Sequence, residues 1–251
     1  LIDQPRVGRR VEAALPGIRL ITAVSEFLRS SIQSYANDRV ETDVLPNVVD
    51  DAVFTPATRN RDPNELLYVG LVRRFKRLDL LLRALAEARH TVPALHLTIL
   101  SANAFRAYAA DRREMRALVA SLGLQRAVTI VQGADPPAVA EAMRRCAFVA
   151  VSSTRRETFC SVAAEALACG TPLVITRCGG PEEFVTPADG VMVAADDPSA
   201  FAAGILSAMG RRGTFRADDM HARIVARFGR DAWCDRAMAI YDRIATRGTP
   251  L

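Results

Sequence analysis

The strongest constraint on this chain is a regular alternation of short apolar runs with longer amphipathic stretches between residues 62 and 212. Strands that are buried on both faces read as continuous apolar runs, because helices cover both faces of a parallel sheet. Runs of this kind are "ELLYVG", "LHLTIL", "AVTIVQG", "AFVAVSS" and "PLVIT". The pattern predicts an α/β fold with a doubly wound, parallel, Rossmann-like sheet.

Shorter segments flank the predicted sheet. Before it, "RLITAV" and "TDVLP" predict strands on either side of a helix, "SEFLRSSIQSYA", that Ser25 caps. The stretch "PNVVDDAVFTPATRNRDPNE" has no periodicity and many Pro, Asn and Asp residues, which is typical of a linker. Two helical segments end the chain. We therefore expect four parts, over residues 1–45, 46–61, 62–212 and 213–251.

Composition narrows the functional classes. Half of the residues are hydrophobic and 24% are charged, as in ordinary globular proteins, and no run approaches the ~18 apolar residues of a membrane span. The net charge of +5 comes from scattered arginines without interleaved aromatic residues, so we expect no nucleic-acid partner. Weak attraction to an anionic membrane surface stays open. Five cysteines without a C-x-x-C pair argue against disulfides and zinc, and favour a cytoplasmic location.

The loop after "LLYVG" is the first candidate site, because ligands of such sheets bind beyond the carboxyl ends of the strands. Gly70 ends the predicted strand, and Arg73, Arg74 and Lys76 precede the next helix, where an anion is favoured. Lys76 is the one lysine among 33 basic residues. An ammonium group can meet a single phosphate oxygen, whereas a guanidinium presents a planar fork. The alternative is a lysine retained by chance on a solvated turn.

The second candidate site is "SSTRRETFCSVAAEALACG", a strand end followed by a polar loop and a helix. Glu157 lies in the loop, and Glu165 lies on the helix among small apolar residues. The backbone N–H groups of residues 159–162 begin this helix and suit phosphate or hydroxyl groups. A carboxylate inside the helix can accept both hydroxyls of a ribose. The alternative makes Glu157 a helix-dipole contact and places Glu165 on a solvent face.

A third stretch, "TRCGGPEEFV", follows the next predicted strand. Its paired glycines allow the backbone to approach a ligand or to make a tight turn. Glu182 and Glu183 follow Pro181 in a segment that we expect to form a short helix. The three histidines, at positions 90, 96 and 221, do not follow strands, and we expect structural or exposed roles for them.

The order of these pieces resembles the C-terminal, donor-binding half of family 4 glycosyltransferases, which have the GT-B fold. The resemblance covers nearly the whole chain, and the block over residues 152–185 is its most specific part. It rests on "AVSEFLRSSI", "LPNVVD", "YVGLVRRFKRLDLLLRA", "VTIVQG", "SSTRRETFCSVAAEALACGTPLVITRCGGPEEFV" and the final "YDRI" helix. It implies that residues 1–45 are the last strand-helix unit of an N-terminal acceptor domain that is otherwise missing, and that residues 213–251 pack back toward it.

The resemblance also implies roles for individual residues. Lys76, with Arg73, would neutralise the donor diphosphate, and Glu157 would lie at the donor sugar. The implied catalytic residues are Glu157, Lys76 and Arg73, and the implied donor-binding residues are Gly70, Arg74, Gly133, Thr158, Phe159, Cys160, Ser161, Val162 and Glu165, with Glu165 on the ribose. The resemblance implies no metal, and no cofactor besides the nucleotide-sugar donor.

Three positions depart from the family pattern. Leu71 replaces the arginine that usually follows the strand glycine, so Arg73 or Arg74 must substitute for it. The usual Gly-x-Gly after the second strand is "SAN", and the usual E-G-F-G is "ETFC", residues 157–160. The added side chains narrow the expected sugar pocket.

The resemblance implies a retaining glycosyltransferase that moves a sugar from a UDP- or GDP-linked donor to a glycan, lipid or small-molecule acceptor. We expect the 251 residues to bind nucleoside diphosphate without transferring sugar by themselves. One alternative is a binding-only chain, which Leu71 favours and which Lys76, Glu157 and Glu165 oppose. A second alternative is a sugar-nucleotide epimerase, which needs acid and base groups that no histidine after a strand supplies.

Overall fold

The structure is a computed structural model that describes residues 18–36, 40–57, 60–101, 109–154 and 157–246. Its strands are β1 (Leu20–Ala23), β2 (Glu41–Val44), β3 (Asp62–Val69), β4 (His96–Ser101), β5 (Val128–Gln132), β6 (Cys146–Val151), β7 (Leu173–Thr176) and β8 (Gly190–Val193). Its helices are α1 (Glu26–Ala36), α2 (Leu78–Ala88), α3 (Ala109–Ser121), α4 (Pro136–Arg145), α5 (Ser161–Ala168), α6 (Pro198–Arg211), α7 (Ala217–Phe228) and α8 (Arg230–Thr246). Short 3-10 turns lie at Arg74–Lys76, Gly180–Glu183 and Arg212–Thr214.

Six parallel strands form the main sheet, in the order β5-β4-β3-β6-β7-β8. The chain runs outward from β3 to β5, then crosses back to β6 and runs outward in the other direction. The carboxyl ends of β3 and β6 therefore flank the topological switch point, where ligands of doubly wound sheets bind. The predicted Rossmann-like sheet is confirmed.

Two apolar cores cover the faces of this sheet. On one face, α2, α3 and α6 bury side chains such as Leu81, Met115 and Phe201. On the other face, α4, α5 and α7 bury side chains such as Met143 and Leu167. Complete burial of such a side chain stabilises the fold by about 1.5–3 kcal/mol, so the doubly covered sheet is the rigid part that carries the loops.

Helices α4 and α6 begin with the same local sequence device. Asp135 accepts a hydrogen bond from the Ala138 amide at 2.9 Å, and proline occupies the first turn of α4. Asp197 does the same for the Ala200 amide at 3.0 Å, again with a proline in the first turn. An aspartate cap satisfies an orphan amide, and proline has no amide to satisfy, so both helix starts are fixed locally.

Arg61 joins the C-terminal ends of α4 and α5 at the opposite edge of the sheet from the switch point. Its guanidinium donates to the carbonyls of Met143 at 2.8 Å, Cys169 at 2.9 Å and Gly170 at 2.9 Å, and to the Thr171 hydroxyl at 2.6 Å. The last carbonyls of a helix have no partners within it and carry partial negative charge. One cation therefore satisfies two helix ends at once.

A smaller unit precedes the main sheet and contacts the end of the chain. Strands β1 and β2 pair in parallel on their own, with α1 between them in sequence. The Val49 amide donates to the Phe228 carbonyl at 2.7 Å, and the Trp233 indole donates to the Pro46 carbonyl at 2.7 Å. Arg243 of α8 pairs with Asp43. The terminal helices thus hold the linker and β2, while the predicted part boundaries stay predictions.

The amides in the first turn of α1 donate hydrogen bonds to side chains from two regions of the sequence. The Ser25 hydroxyl accepts from the Leu28 amide at 3.1 Å, which confirms the predicted cap. The Glu183 carboxylate accepts from the Glu26 amide at 3.0 Å and from the Phe27 amide at 2.6 Å. A negative charge at a helix N-terminus is favourable, so this contact orients α1 against the loop after β7.

The helices and the cysteines of the described residues bear on two of the expectations from composition. No helix among them combines the length and the apolar character needed to cross a bilayer. The five cysteines are free thiols, and Cys234 is the exposed one.

Candidate active site

The loops after β3 and β6 meet at the switch point. The Ser152 hydroxyl donates to the Lys76 carbonyl at 2.8 Å, and the Thr154 amide donates to the Phe75 carbonyl at 2.8 Å. These two bonds attach the 3-10 turn that carries Lys76 to the loop that carries Glu157. The two candidate loops of the sequence therefore form one site.

Lys76 and Glu157 contact each other directly in this site. The Lys76 ammonium lies 2.5 Å from Glu157 Oε1, and the Ser153 hydroxyl donates to the same oxygen at 2.5 Å. Ser153 and Glu157 are buried, with 2% and 7% of their surfaces exposed. A buried charge needs paired partners, so the lysine and the serine together make an ionised Glu157 tolerable here.

The backbone of Glu157 is fixed by the loop after β7. Its amide donates to the Cys178 carbonyl at 3.1 Å, and its carbonyl accepts from the Gly180 amide at 2.8 Å. A Cβ atom at Gly180 would collide with the Thr158 carbonyl. Gly179 has a φ of +111°, which disfavours any side chain. The glycine pair thus serves close packing of two loops, and the short helix predicted after it is confirmed as the 3-10 turn.

The N-terminus of α5 opens beside Glu157. None of the described residues accepts a hydrogen bond from the amides of residues 159–162, while the Ala163 amide bonds to the Cys160 carbonyl at 3.0 Å. Cys160, the residue before the helix, has a left-handed φ of 68°. Burial, then the charge of Glu157, raises the pKa of the Cys160 thiol to about 12. Open amides at a helix start suit an anion or a hydroxyl group.

Glu165 is the fifth residue of α5 and is partly buried. No described residue donates a hydrogen bond to its carboxylate. Burial raises its pKa from 4.5 to about 7, because the charged form loses water without gaining a partner. Hydroxyl groups of a ligand can donate hydrogen bonds to such a carboxylate and stabilise its charged form. Its partial burial speaks against the alternative of a solvent face.

The other predicted residues of this loop contribute unequally. The Phe159 ring packs against Phe184 and Phe228 with centroids at 5.4 and 5.1 Å, so only its backbone faces the loop. Thr158 is exposed, and the Ser161 hydroxyl lies 3.3 Å from the Asn47 amide nitrogen. Cys160 is buried, and the partly buried Val162 packs against the core.

Four further predicted residues follow β3 and β5 at the carboxyl edge of the sheet. Arg73 and Arg74 line a cleft of about 430 Å³ between their own loop, α2 and α3. Gly70 ends β3 with its amide bonded to the Leu100 carbonyl at 3.0 Å. Gly133 follows β5, two strands from β3 at the same edge of the sheet. Their assignment to donor binding stays a prediction.

Neither Ser153 nor the hydrogen bond of Ser152 to the Lys76 carbonyl was predicted from the sequence. Both are buried serines directly after a wholly apolar strand. Polar residues at that position are seldom buried without a partner, and this was the available signal.

The family of the chain follows from a comparison with family models. The model for glycosyl transferases group 1 matches residues 50–223, which include the sheet and the whole candidate site. The chain belongs to this family, and its fold is of the GT-B type. The match agrees with the resemblance to family 4 glycosyltransferases and sets the epimerase alternative aside.

Particular relatives narrow the comparison. The chain is 30% identical over 220 residues to a D-inositol 3-phosphate glycosyltransferase of Acidothermus cellulolyticus, covering 81% of this chain and 49% of that protein. It is 32% identical over 232 residues to the protein of that name in Segniliparus rotundus, covering 87% and 50%. The chain therefore spans about half the length of the curated relatives it matches.

Solved structures share the fold at low identity. Sucrose-phosphate synthase from Thermosynechococcus elongatus aligns with a TM-score of 0.84 at 23% identity, over 97% of this chain and 62% of its own. Anabaena HepE in complex with UDP and glucose aligns with a TM-score of 0.83 at 19% identity, over 96% and 67%.

Proposed function

We propose that this chain holds the diphosphate, ribose and sugar of a UDP- or GDP-linked donor, as the donor-binding part of a retaining glycosyltransferase. The observation that carries the proposal is the contact between Lys76 and Glu157 beside the open N-terminus of α5. The Lys76 ammonium and the α5 amides suit the anionic groups of a ligand, and the Glu157 carboxylate suits its hydroxyl groups. Anabaena HepE, a structural neighbour, was solved with UDP and glucose, which supports this ligand class.

The diphosphate can compete with Glu157 for Lys76. Two unit charges about 4 Å apart attract by about 4 kcal/mol at an effective dielectric of about 20. A diphosphate carries more negative charge than one carboxylate, and it also gains the α5 amides. Lys76 therefore turns from Glu157 to the diphosphate when the donor binds.

Transfer forms a bond from the acceptor hydroxyl oxygen to the anomeric carbon and breaks the bond from that carbon to a diphosphate oxygen. The nucleoside diphosphate leaves with the electron pair and takes up the hydroxyl proton. Lys76 and the α5 amides stabilise the charge that develops on the diphosphate oxygen, which is the role a metal ion has in other transferases. Glu157 orients the sugar. The Ser153 hydroxyl still donates to its Oε1 oxygen after Lys76 has turned away, and this hydrogen bond weakens Glu157 as a nucleophile.

The acceptor is proposed from the relatives. Their name pairs glycosyl transfer with D-inositol 3-phosphate, a small phosphorylated polyol. We propose a small-molecule acceptor of this class over a glycan or lipid. The residues that bind it lie outside the donor site described above.

The test is calorimetric binding of UDP and GDP to the wild type and to Lys76→Arg. We expect binding of one nucleotide and at least tenfold weaker binding by the variant, because a fork-shaped guanidinium cannot replace the ammonium at this partly buried position. Arg126→Lys, at the exposed amino end of β5, is the matched control and should bind as the wild type does. Failure of the wild type to bind either nucleotide overturns the proposal.

Binding without turnover is the second candidate function. Leu71 replaces the family arginine, its carbonyl accepts from the Tyr68 hydroxyl at 2.8 Å, and Arg73 and Arg74 line a different cleft. Among the described residues, Lys76 is the cation that contacts Glu157, and a single cation at the diphosphate favours binding over catalysis. Release of nucleoside diphosphate from UDP-glucose in the presence of inositol phosphate distinguishes a transferase from a binding chain.

A further inference from the structure

We infer that Ser153 is the positioning residue of Glu157, the group that holds the Glu157 carboxylate toward the donor sugar once Lys76 has turned to the diphosphate. The inference rests on the proposed function and adds a residue to it. It starts from the hydrogen bond of 2.5 Å between the Ser153 hydroxyl and Glu157 Oε1.

Ser153 is fixed independently of Glu157. Its carbonyl accepts a hydrogen bond from the Thr176 hydroxyl at 2.6 Å, and Thr176 is fully buried in β7. This bond ties the Ser153 backbone, at the carboxyl end of β6, to a buried residue of the neighbouring strand.

The partners of the carboxylate are asymmetric. Lys76 and Ser153 both contact Oε1, and no described residue donates to Oε2. When the diphosphate draws Lys76 away, the buried Oε1 keeps one donor, the serine. Oε2 then remains directed at the site, where a sugar hydroxyl can donate to it. Without Ser153, the carboxylate would lose both partners and would no longer be held in this orientation.

The experiment compares each nucleotide sugar with its parent diphosphate. UDP and UDP-glucose, UDP and UDP-GlcNAc, and GDP and GDP-mannose are titrated calorimetrically into the wild type, Ser153→Ala and Ser153→Thr. The measured quantity is the association constant of the nucleotide sugar divided by that of its parent diphosphate. This ratio isolates the contribution of the sugar. We expect a ratio above one for one pair in the wild type, a five- to tenfold smaller ratio in Ser153→Ala, and recovery in Ser153→Thr.

A double-mutant cycle with Glu157→Gln separates positioning from general damage. If Ser153 acts through the carboxylate, Ser153→Ala changes the ratio no further when Glu157 is already Gln. Ser152→Ala is the matched control, a second buried serine one residue earlier. Since its hydroxyl holds the Lys76 backbone, it should weaken both members of a pair equally and leave the ratio unchanged.

The outcomes distinguish failure of the inference about Ser153 from failure of the proposed function. A wild-type ratio that Ser153→Ala leaves unchanged overturns the inference and leaves the proposed function standing. The same holds if Ser153→Ala and Glu157→Gln reduce the ratio additively. Wild-type ratios of one for all pairs overturn the role of Glu157, and with it the inference, while diphosphate binding stands. Absence of all binding overturns both. If Ser153→Thr does not fold, the cycle alone decides.

Discussion

Replacing Glu165 by glutamine should stabilise the ligand-free protein, and the gain should depend on pH. Glutamine has nearly the shape of the protonated acid, so the substitution removes the charge and little else. Glu165 receives no hydrogen bond from the described residues, and burial raises its pKa from 4.5 to about 7. The folded protein therefore disfavours the ionised form relative to the unfolded chain.

The sign and size follow from proton linkage. Well below pH 4.5 the carboxyl is protonated in the folded and in the unfolded state, and it does not lower the free energy of unfolding. Between 4.5 and 7 the folded state binds more protons than the unfolded state, so stability falls as the pH rises. At 1.36 kcal/mol for each pH unit, the full cost above pH 7 is about 3 kcal/mol. Glu165→Gln should recover most of it at pH 8 and about 0.8 kcal/mol at pH 5.

Denaturant unfolding at four pH values between 5 and 8 measures this difference for the ligand-free chain. Glu141→Gln is the matched control, because Glu141 lies on the surface of α4 beside Arg144 and its substitution should give a small effect at every pH. A free-energy difference between Glu165→Gln and wild type that stays constant with pH would refute the reasoning, since a charge cost must titrate.

The other predictions concern three contacts. Glu165→Ala should weaken the binding of nucleoside diphosphate and of nucleotide sugar alike, by about 1.5–3 kcal/mol. Glu157→Ala should weaken the binding of the nucleotide sugar alone. Equal losses in all four titrations would contradict this division. Arg61→Ala should cost about 3 kcal/mol of unfolding free energy, with Arg61→Lys intermediate, because several buried carbonyls lose their donor. Glu183→Ala should cost about 1 kcal/mol and speed hydrogen exchange of the Phe27 amide about fivefold, and unchanged exchange would rule out the cap.

The periodic parts of the fold could be predicted from the sequence, and the contacts between loops could not. Five of the six strands of the main sheet, β3 to β7, were expected within a few residues, because burial on two faces leaves an apolar run. Lys76 and Glu157 stand 81 residues apart, and nothing in the spacing of either segment gives their contact. It depends on the strand order, which places β3 beside β6.

Side-chain direction in the loop before α5 was equally hidden. Residues 158–162 form no repeating pattern, so the sequence could not show that the Phe159 ring enters the core while Thr158 stays exposed. The family resemblance supplied the residues of this loop, and the packing of Phe184 and Phe228 decides which of their atoms face the site.

The contacts between the first unit and the last helices impose an order on biosynthesis. Asp43 pairs with Arg243, 200 residues later, and Pro46 accepts from Trp233, 187 residues later. At about 5–20 residues per second, a ribosome needs roughly 10–40 s to supply these partners. Meanwhile β1 and β2 form a two-stranded sheet, which is marginal alone. The six-stranded sheet can close before Trp233 and Arg243 are made, whereas the unit of β1 and β2, which is translated before that sheet, gains these partners only afterwards.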